Sequence, residues 1–249
     1  MRYDELNQKR AYYQANKHLL PREVLSNYET AFRIEYTHNS TAIEGNTLSL
    51  IETKLLLEDK LSVGGKELRE IYEVTNHAKA YDYTRERAAE GKPLDENIVK
   101  DIHQLLMENI QPGGIYRNVS VRVSGAGFQP PPPNEMYARV KGFFADLVYK
   151  TDTPDIELAA WIHAEFVRIH PFTDGNGRVS RMIMNYQLMS DGWLPVSVAK
   201  ENRLKYFEAL EAYAVGDNIE PFASFVAELE DKELNRMIEV IRQVTSQQE

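Results

Sequence analysis

The sequence predicts an all-α bundle with one short β excursion. Apolar residues recur every three or four positions through most of the chain, and Gly, Pro and capping residues bound the segments so formed. Only one stretch, near residues 119–123, alternates with a period of two. With 249 residues the chain can bury one sizeable core, or form one domain with a helical extension.

Residues 1–20 show no clear period. From Arg22, the spacing of Val24, Tyr28, Ala31, Phe32, Glu35 and Tyr36 predicts a helix running to about Ile43, closed by Gly45 as a C′ residue. Ser49 and Glu52 form a capping box for the next helix, whose Leu55, Leu56 and Leu57 are expected in the core, and Gly64-Gly65 breaks it. A long helix is predicted over 66–90, with Ile71, Val74, Ala78 and Tyr81 facing inward and His77 as a packing residue. No Gly-x-x-x-x-Gly-Lys spacing surrounds Lys66 or Lys92, which removes a P-loop. Asp95 caps a helix over 96–109 with a stripe of Ile98, Ile102, Leu105 and Leu106.

Residues 111–134 break the helical habit. Val119, Val121 and Val123 alternate with Ser120, Arg122 and Ser124; Gly125-Ala126-Gly127 supplies a turn, and four prolines follow at 130–133. The pattern predicts a small β-hairpin, marginal unless it packs on something. Helices then follow over 137–149, 156–169, 179–189, 201–215 and 219–243, the last with Pro221 in its first turn.

Composition narrows the function classes. The 43% apolar and 27% charged fractions are those of a globular domain. The absence of cysteine removes disulfides and thiolate metal sites. A formal net charge of −9 argues against a nucleic-acid groove or an anionic membrane surface as the main partner. No signal-like segment and no long apolar run are present, so a soluble, cytoplasmic protein is expected.

The run from His170 to Arg181, His-Pro-Phe-Thr-Asp-Gly-Asn-Gly-Arg-Val-Ser-Arg, carries the chemistry. His170 closes one predicted helix and is the only neutral-pH base of the run. Asp174 is a single carboxylate, which suits a Mg2+ that keeps most of its waters and takes further oxygens from substrate phosphates. Gly175-Asn176-Gly177 sits where the amides of the next helix lack acceptors, a natural anion site, and Arg178 and Arg181 stand three apart on its first turns. Singly, each feature has an ordinary structural explanation. Together they leave a turn or a solvated face little reason to hold them all. His163, seven residues before His170, lacks a third metal ligand at helical spacing and reads as core.

The run is similar to the signature of the Fic family, His-Pro-Phe-x-Asp/Glu-Gly-Asn-Gly-Arg-x-x-Arg, at every specified position. Ser40, Glu44 and Gly45 resemble that family's inhibitory motif, Ser/Thr-x-x-x-Glu-Gly/Asn. Glu44 is otherwise badly placed, since negative charge in a last helical turn costs ~0.3–1 kcal/mol. The resemblance implies an all-α Fic fold with a β-hairpin flap, and a protein adenylyltransferase that moves AMP from ATP to a Ser, Thr or Tyr hydroxyl. His170 would be the catalytic base, and Asp174 would hold Mg2+ or Mn2+. The nucleotide would meet Gly175, Asn176, Gly177, Arg178, Ser180 and Arg181, and Ser124, Gly125, Ala126 and Gly127 of the flap. Tyr206 and Phe207 stand where relatives line the adenine and ribose pocket, whereas Ala214 replaces an Asn of some relatives. Glu44 would restrain Arg181.

By the same resemblance, residues 1–92 form an N-terminal helical region with the inhibitory helix, 93–228 the Fic domain and 229–249 the end of a C-terminal helix. The partners implied are ATP and a protein target bound along the flap by strand addition; self-modification and a homodimer stay open. Three other functions stay open too: removal of AMP with Glu44 orienting water, transfer of another group from another nucleotide donor, and a nucleotide-sensing or toxin-like module. The intact Gly-Asn-Gly favours AMP transfer over other groups because it leaves room for pyrophosphate.

Overall fold

Ten α-helices and two single-turn 3-10 helices, with no strand, are present among the described residues, 3–123 and 125–246 of the computed structural model. The N-terminal stretch that shows no period is a helix, α1 (Asp4–Asn16). It buries only Leu6 and Tyr13. Its other anchors are polar: Lys9 pairs with Asp231 at 2.6 Å, and Arg10 pairs with Asp155 at 2.5 Å while lying 4.4 Å over the Trp193 ring. A helix held by ions and a cation–π contact leaves no apolar stripe to read.

Helix α2 (Arg22–Ile43) occupies its predicted span. From Tyr36 to Thr41 every side chain is buried, so its last turns run through the protein interior and their polar groups need protein partners. Helix α3 (Leu50–Leu57) opens with the expected reciprocal Ser49–Glu52 box, but of the leucines expected in the core, Leu55, Leu56 and Leu57, only Leu57 is buried. Helices α4 (Leu68–Ala89) and α5 (Glu96–Met107) follow, the latter capped by Asp95, which accepts from the Ile98 amide at 2.8 Å. On α5 the expected Leu105 is half-buried, and the interior face is completed by Val99, His103 and Met107.

Helix α6 (Pro133–Tyr149) starts four residues before its predicted first turn. The last of the four prolines serves as its first residue, where no N–H is required and the fixed φ suits a helix. Between Arg117 and Pro132 the expected hairpin is replaced by an irregular loop, with Val119 about half exposed. The returning arm explains this: Pro130 to Pro133 have no amide hydrogens with which to close a ladder.

Helices α7 (Asp155–Ile169) and α8 (Asn176–Ser190) pack along each other at the centre. One core lies on their α9 (Arg203–Gly216) and α10 (Glu220–Ser246) side, and uses Ala160 and Ala164 of α7 and Met184 and Leu188 of α8. The other lies toward α2, α4, α5 and α6, using Ile162, Phe166 and Ile169 of α7 and Val179, Met182 and Ile183 of α8. The loop between the two central helices is thus held by both cores.

Candidate active site

Helix α7 stops at His170 because Pro171 follows, and a residue before proline avoids the α region. His170 takes left-handed angles instead (φ 52°, ψ 58°), while its amide still donates to Phe166 at 2.9 Å. Phe172 then plugs the core beneath, fully buried and stacked on the His103 ring at 3.6 Å. The Asn176 side chain staples the loop by accepting from the Phe172 amide (2.9 Å) and donating to its carbonyl (2.8 Å). Gly175, at φ 78°, starts α8; a Cβ there would meet Met107 Cε at 2.4 Å.

Nδ1 of His170 lies 3.3 Å from the Val167 carbonyl. A carbonyl only accepts, so Nδ1 carries the hydrogen and Nε2 keeps its lone pair. Burial pushes the His170 pKa below its ordinary value, which keeps the ring neutral and able to take a proton. The His170 carbonyl accepts from Arg117 Nε at 2.7 Å. The same buried guanidinium donates to Val119 O (2.8 Å) and Pro131 O (2.6 Å), so one side chain ties both ends of the 119–131 loop to the histidine.

Across from His170, Arg181 is almost wholly buried. Its Nε donates to Ser40 Oγ at 2.9 Å, and Nη2 donates to Ser40 O and to Glu44 Oε1, each at 2.8 Å. Nη1 donates to the Tyr206 hydroxyl at 3.1 Å. Burial opposes this charge, yet Tyr206 and the Glu44 carboxylate hold its pKa above the ordinary arginine value. Glu44 is aimed by its own helix end: Arg203 Nε donates to the Ile43 carbonyl at 2.9 Å, a cation on the last turn of α2. The carboxylate rests on Gly177, where a Cβ would come within 2.3 Å of Glu44 Oε1 and 3.2 Å of Arg181 Nη1. Only glycine admits that approach.

Asp174 stands at the outer edge. Its Oδ1 accepts from the Gly175 amide at 2.5 Å and from Arg178 Nη2 at 3.2 Å, and its Oδ2 from Arg69 Nη2 at 2.6 Å. Burial alone would raise the carboxyl; Arg178, the Gly175 amide and Arg69 outweigh it and hold it below the usual range. Among the described residues no three His, Cys, Asp or Glu converge on one point to make a cage for a metal. A single ionised carboxylate beside a phosphate site does fit Mg2+, which dehydrates reluctantly and uses few protein ligands.

His170, Glu44, Gly177 and Arg181 line one cleft of about 690 Å3, together with Gly125, Ala126, Tyr206, Phe207 and Ala214. The expected nucleotide contacts divide here. Gly125, Ala126, Gly177, Arg181, Tyr206 and Phe207 border the cleft, and Gly127 sits at its rim with its amide bonded to Glu211 at 2.6 Å. Asn176, Arg178 and Ser180 are buried behind it, Ser180 donating to the Gly177 carbonyl at 2.8 Å. Ser124 lies outside the described residues.

Three further residues hold the site. Arg69 reaches Asp174 from α4. Arg117 secures the loop. His103 accepts from the Gly114 amide at 2.8 Å through Nδ1, lies 3.1 Å from the Asp174 carbonyl through Nε2, and is pushed down to about 4 by burial. A signal for His103 exists in the sequence, because it falls beside Ile102 on the apolar face of α5. None exists for Arg69, since its partner is 105 positions away.

Residues 93–188 match the Fic/DOC family model. Over 205 residues the chain is 32% identical to proteins named "Protein adenylyltransferase Fic" from Drosophila willistoni and Drosophila melanogaster, covering 81% of this chain and 41% of each relative. It therefore spans about two fifths of the length of these curated relatives. A Fic-domain-containing signaling protein from Bacteroides thetaiotaomicron superposes with a TM-score of 0.84 at 25% identity, covering 94% of this chain and 97% of that one. Fic-1 from C. elegans gives 0.79 at 28% identity, covering 94% and 69%. By the signature run, the matched span and these relatives, the chain belongs to the Fic/DOC family.

Proposed function

We propose that this chain is a protein adenylyltransferase that moves AMP from ATP to a hydroxyl of a protein target, and that Glu44 restrains it. The observation that carries the reading is the single cleft shared by His170, Gly177, Arg181 and Glu44. A base, an anion cradle and a buried cation face one space, and a carboxylate sits on the cation.

In the proposed reaction, the target oxygen attacks the α-phosphorus while the bond from that phosphorus to the oxygen bridging the α- and β-phosphates breaks. The hydroxyl proton passes to His170 Nε2, and the Val167 carbonyl steadies the imidazolium that forms. The leaving pyrophosphate lies toward Gly177 and Arg181, where fixed donors meet charge as it develops. Asp174 would hold Mg2+, with Arg69 giving way; the bound ion would supply positive charge for the leaving phosphates. Rigidity of the loop, set by Asn176 and Phe172, keeps base and cradle in register.

The segment 119–131 supports the role of a flap. It borders the cleft, is anchored at both ends by Arg117, and leaves backbone groups free of any ladder among the described residues, so an extended target strand has somewhere to pair. Glu44 lines the same cleft as His170, which favours AMP removal through a Glu44-oriented water as a second reading.

The test is transfer of label from α-labelled ATP to the protein itself and to lysate proteins, comparing wild type, Glu44→Gly and Glu44→Gly with His170→Ala. Label is expected mainly with Glu44→Gly and lost in the double variant, which should still bind ATP. Label undiminished without His170, or absent throughout, would overturn the reading. Loss of AMP removal in Glu44→Gly would establish the second direction.

A further inference from the structure

Arg181 is gripped from two sides. Three of its described hydrogen bonds run to α2, to Ser40 Oγ, Ser40 O and Glu44 Oε1. The fourth runs the other way, from Nη1 to the Tyr206 hydroxyl on α9 at 3.1 Å. That hydroxyl lies 2.9 Å from Nε2 of His163 on α7. Arg181, Tyr206 and His163 are all buried, so these polar groups depend chiefly on protein partners.

One arrangement of the protons satisfies the Tyr206 hydroxyl as both acceptor and donor. A guanidinium has no lone pair to offer, so the Tyr206 oxygen must accept from Arg181. Its own hydrogen then needs an acceptor, and His163 Nε2 is the one within reach among the described residues. His163 must therefore be neutral with Nε2 bare, as burial and the Arg181 charge both require. Ser180 Oγ lies 3.2 Å from the same nitrogen but sends its hydrogen to the Gly177 carbonyl, so it supplies Nε2 with no competing donor.

We propose that Tyr206 and His163 are positioning residues for the terminal phosphates of the nucleotide: they hold Arg181 from the α7–α9 side, so that when Glu44 withdraws the guanidinium stays at the cradle instead of following α2. The proposal rests on the adenylyl-transfer reading, in which Arg181 meets the leaving phosphates. It gives Tyr206 a task distinct from lining a nucleoside pocket, and makes His163 more than core packing. Without the anchor, every described partner of Arg181 would belong to the inhibitory helix. The cation would then be set by its inhibitor alone.

The experiment measures ATP and AMP affinity by calorimetry in the Glu44→Gly background, with and without Tyr206→Phe, His163→Leu or His163→Gln. AMP lacks the phosphates that would reach Arg181, so it reports the nucleoside end of the cleft and the integrity of the fold. Tyr206→Phe and His163→Leu are expected to weaken ATP binding about tenfold, the scale of one hydrogen bond to a charged group, while AMP changes less than about twofold. His163→Gln should restore most of the loss, because its amide oxygen can accept the Tyr206 hydrogen. Equal weakening of ATP and AMP would overturn the proposal in favour of a nucleoside wall or a structural role, and unchanged ATP binding would overturn it outright. Failure of Gln to rescue would remove His163 from it. Glu44→Gly binding AMP as tightly as ATP would instead deny Arg181 any phosphate, and the adenylyl-transfer reading would fall with the anchor.

Discussion

Replacing Glu44 tests whether a charge, rather than bulk, closes the cradle. The bond to remove is the 2.8 Å contact between Glu44 Oε1 and Arg181 Nη2. Hydrogen bonds to charged groups are worth about 1.5–3 kcal/mol net. Arg181 is buried, but the Glu44 side chain is 37% exposed, so solvent screening pulls the value toward the lower end, ~1–2 kcal/mol. The guanidinium keeps Ser40 and Tyr206 in the variant and need not refold. If the pair must open before the terminal phosphates seat, Glu44→Gly should tighten ATP binding by roughly 5–30-fold.

Glu44→Gln separates the two ways in which Glu44 could block. Its volume and its proximity to Gly177 are kept, while the hydrogen bond becomes about half as strong. A charge-based restraint is therefore released partly by Gln and fully by Gly; a steric one is released by Gly alone. Calorimetric titration with ATP, and with AMP as control, reads both. An ATP affinity of Glu44→Gly within about twofold of wild type, or an equal gain for AMP, would refute the reasoning, because neither result places the restraint at the phosphates.

Other outcomes follow from neighbouring contacts. Arg69→Ala frees Asp174 from a partner that is itself 54% exposed, so Mn2+ titrated with ATP present should bind about 2–5-fold more tightly by electron spin resonance, the scale of an exposed ion pair; no change would show that Arg69 does not compete for the carboxylate. Arg117→Ala leaves three carbonyls without their buried donor and should lower unfolding stability by about 1–3 kcal/mol in denaturant titration; a loss below about 0.5 kcal/mol would mean that the loop is held by something else. Glu230 is buried between α10 and the Leu194 amide, and burial, reinforced by Glu233 and opposed by Leu194 and Arg10, pushes its pKa from 4.5 up to about 8. Between those values the unfolded chain has lost a proton that the folded one keeps, so this group makes stability fall as pH rises, by at most about 1.4 kcal/mol per unit. Tm measured from pH 5 to 8 should therefore decline less in Glu230→Gln than in wild type, and parallel curves would exclude Glu230 as the cause.

The sequence was most informative where local chemistry decides. Helices α2 and α7 follow from periodicity, α3 opens on the Ser49 box, and Pro171 ends α7 at His170. It was least informative where distant partners decide. Helix α1 lacks a stripe because ion pairs to Asp231 and Asp155 hold it. The valine alternation at 119–123 satisfies the strand pattern, but pattern cannot supply a partner, and the prolines that return the chain remove the donors it would need. In the site, the signature residues are contiguous and readable. Their supports come from other elements: His103 is marked only by its place on the apolar face of α5, and nothing in the spacing of Arg69 points to a partner 105 positions away.

The division between matched and unmatched residues has a physical consequence. The span that matches the family model, 93–188, contains His170, Asp174, Gly177 and Arg181. Every described hydrogen-bond acceptor of Arg181 lies outside it: Ser40 and Glu44 before, Tyr206 after. A buried guanidinium stripped of its acceptors is strongly unfavourable. The matched span thus carries the residues proposed to react but cannot by itself satisfy its own central cation. In the proposed reaction, whatever holds α2 and α9 against α8 also decides whether Arg181 faces a carboxylate or a phosphate. Because Arg203 of α9 caps the end of α2, a displacement of that helix end would move Glu44 while leaving His170 on its separate anchor, Arg117. The proposed restraint and the proposed chemistry are therefore mechanically separable in this fold, and the separation runs between α2 and the α7–α8 pair.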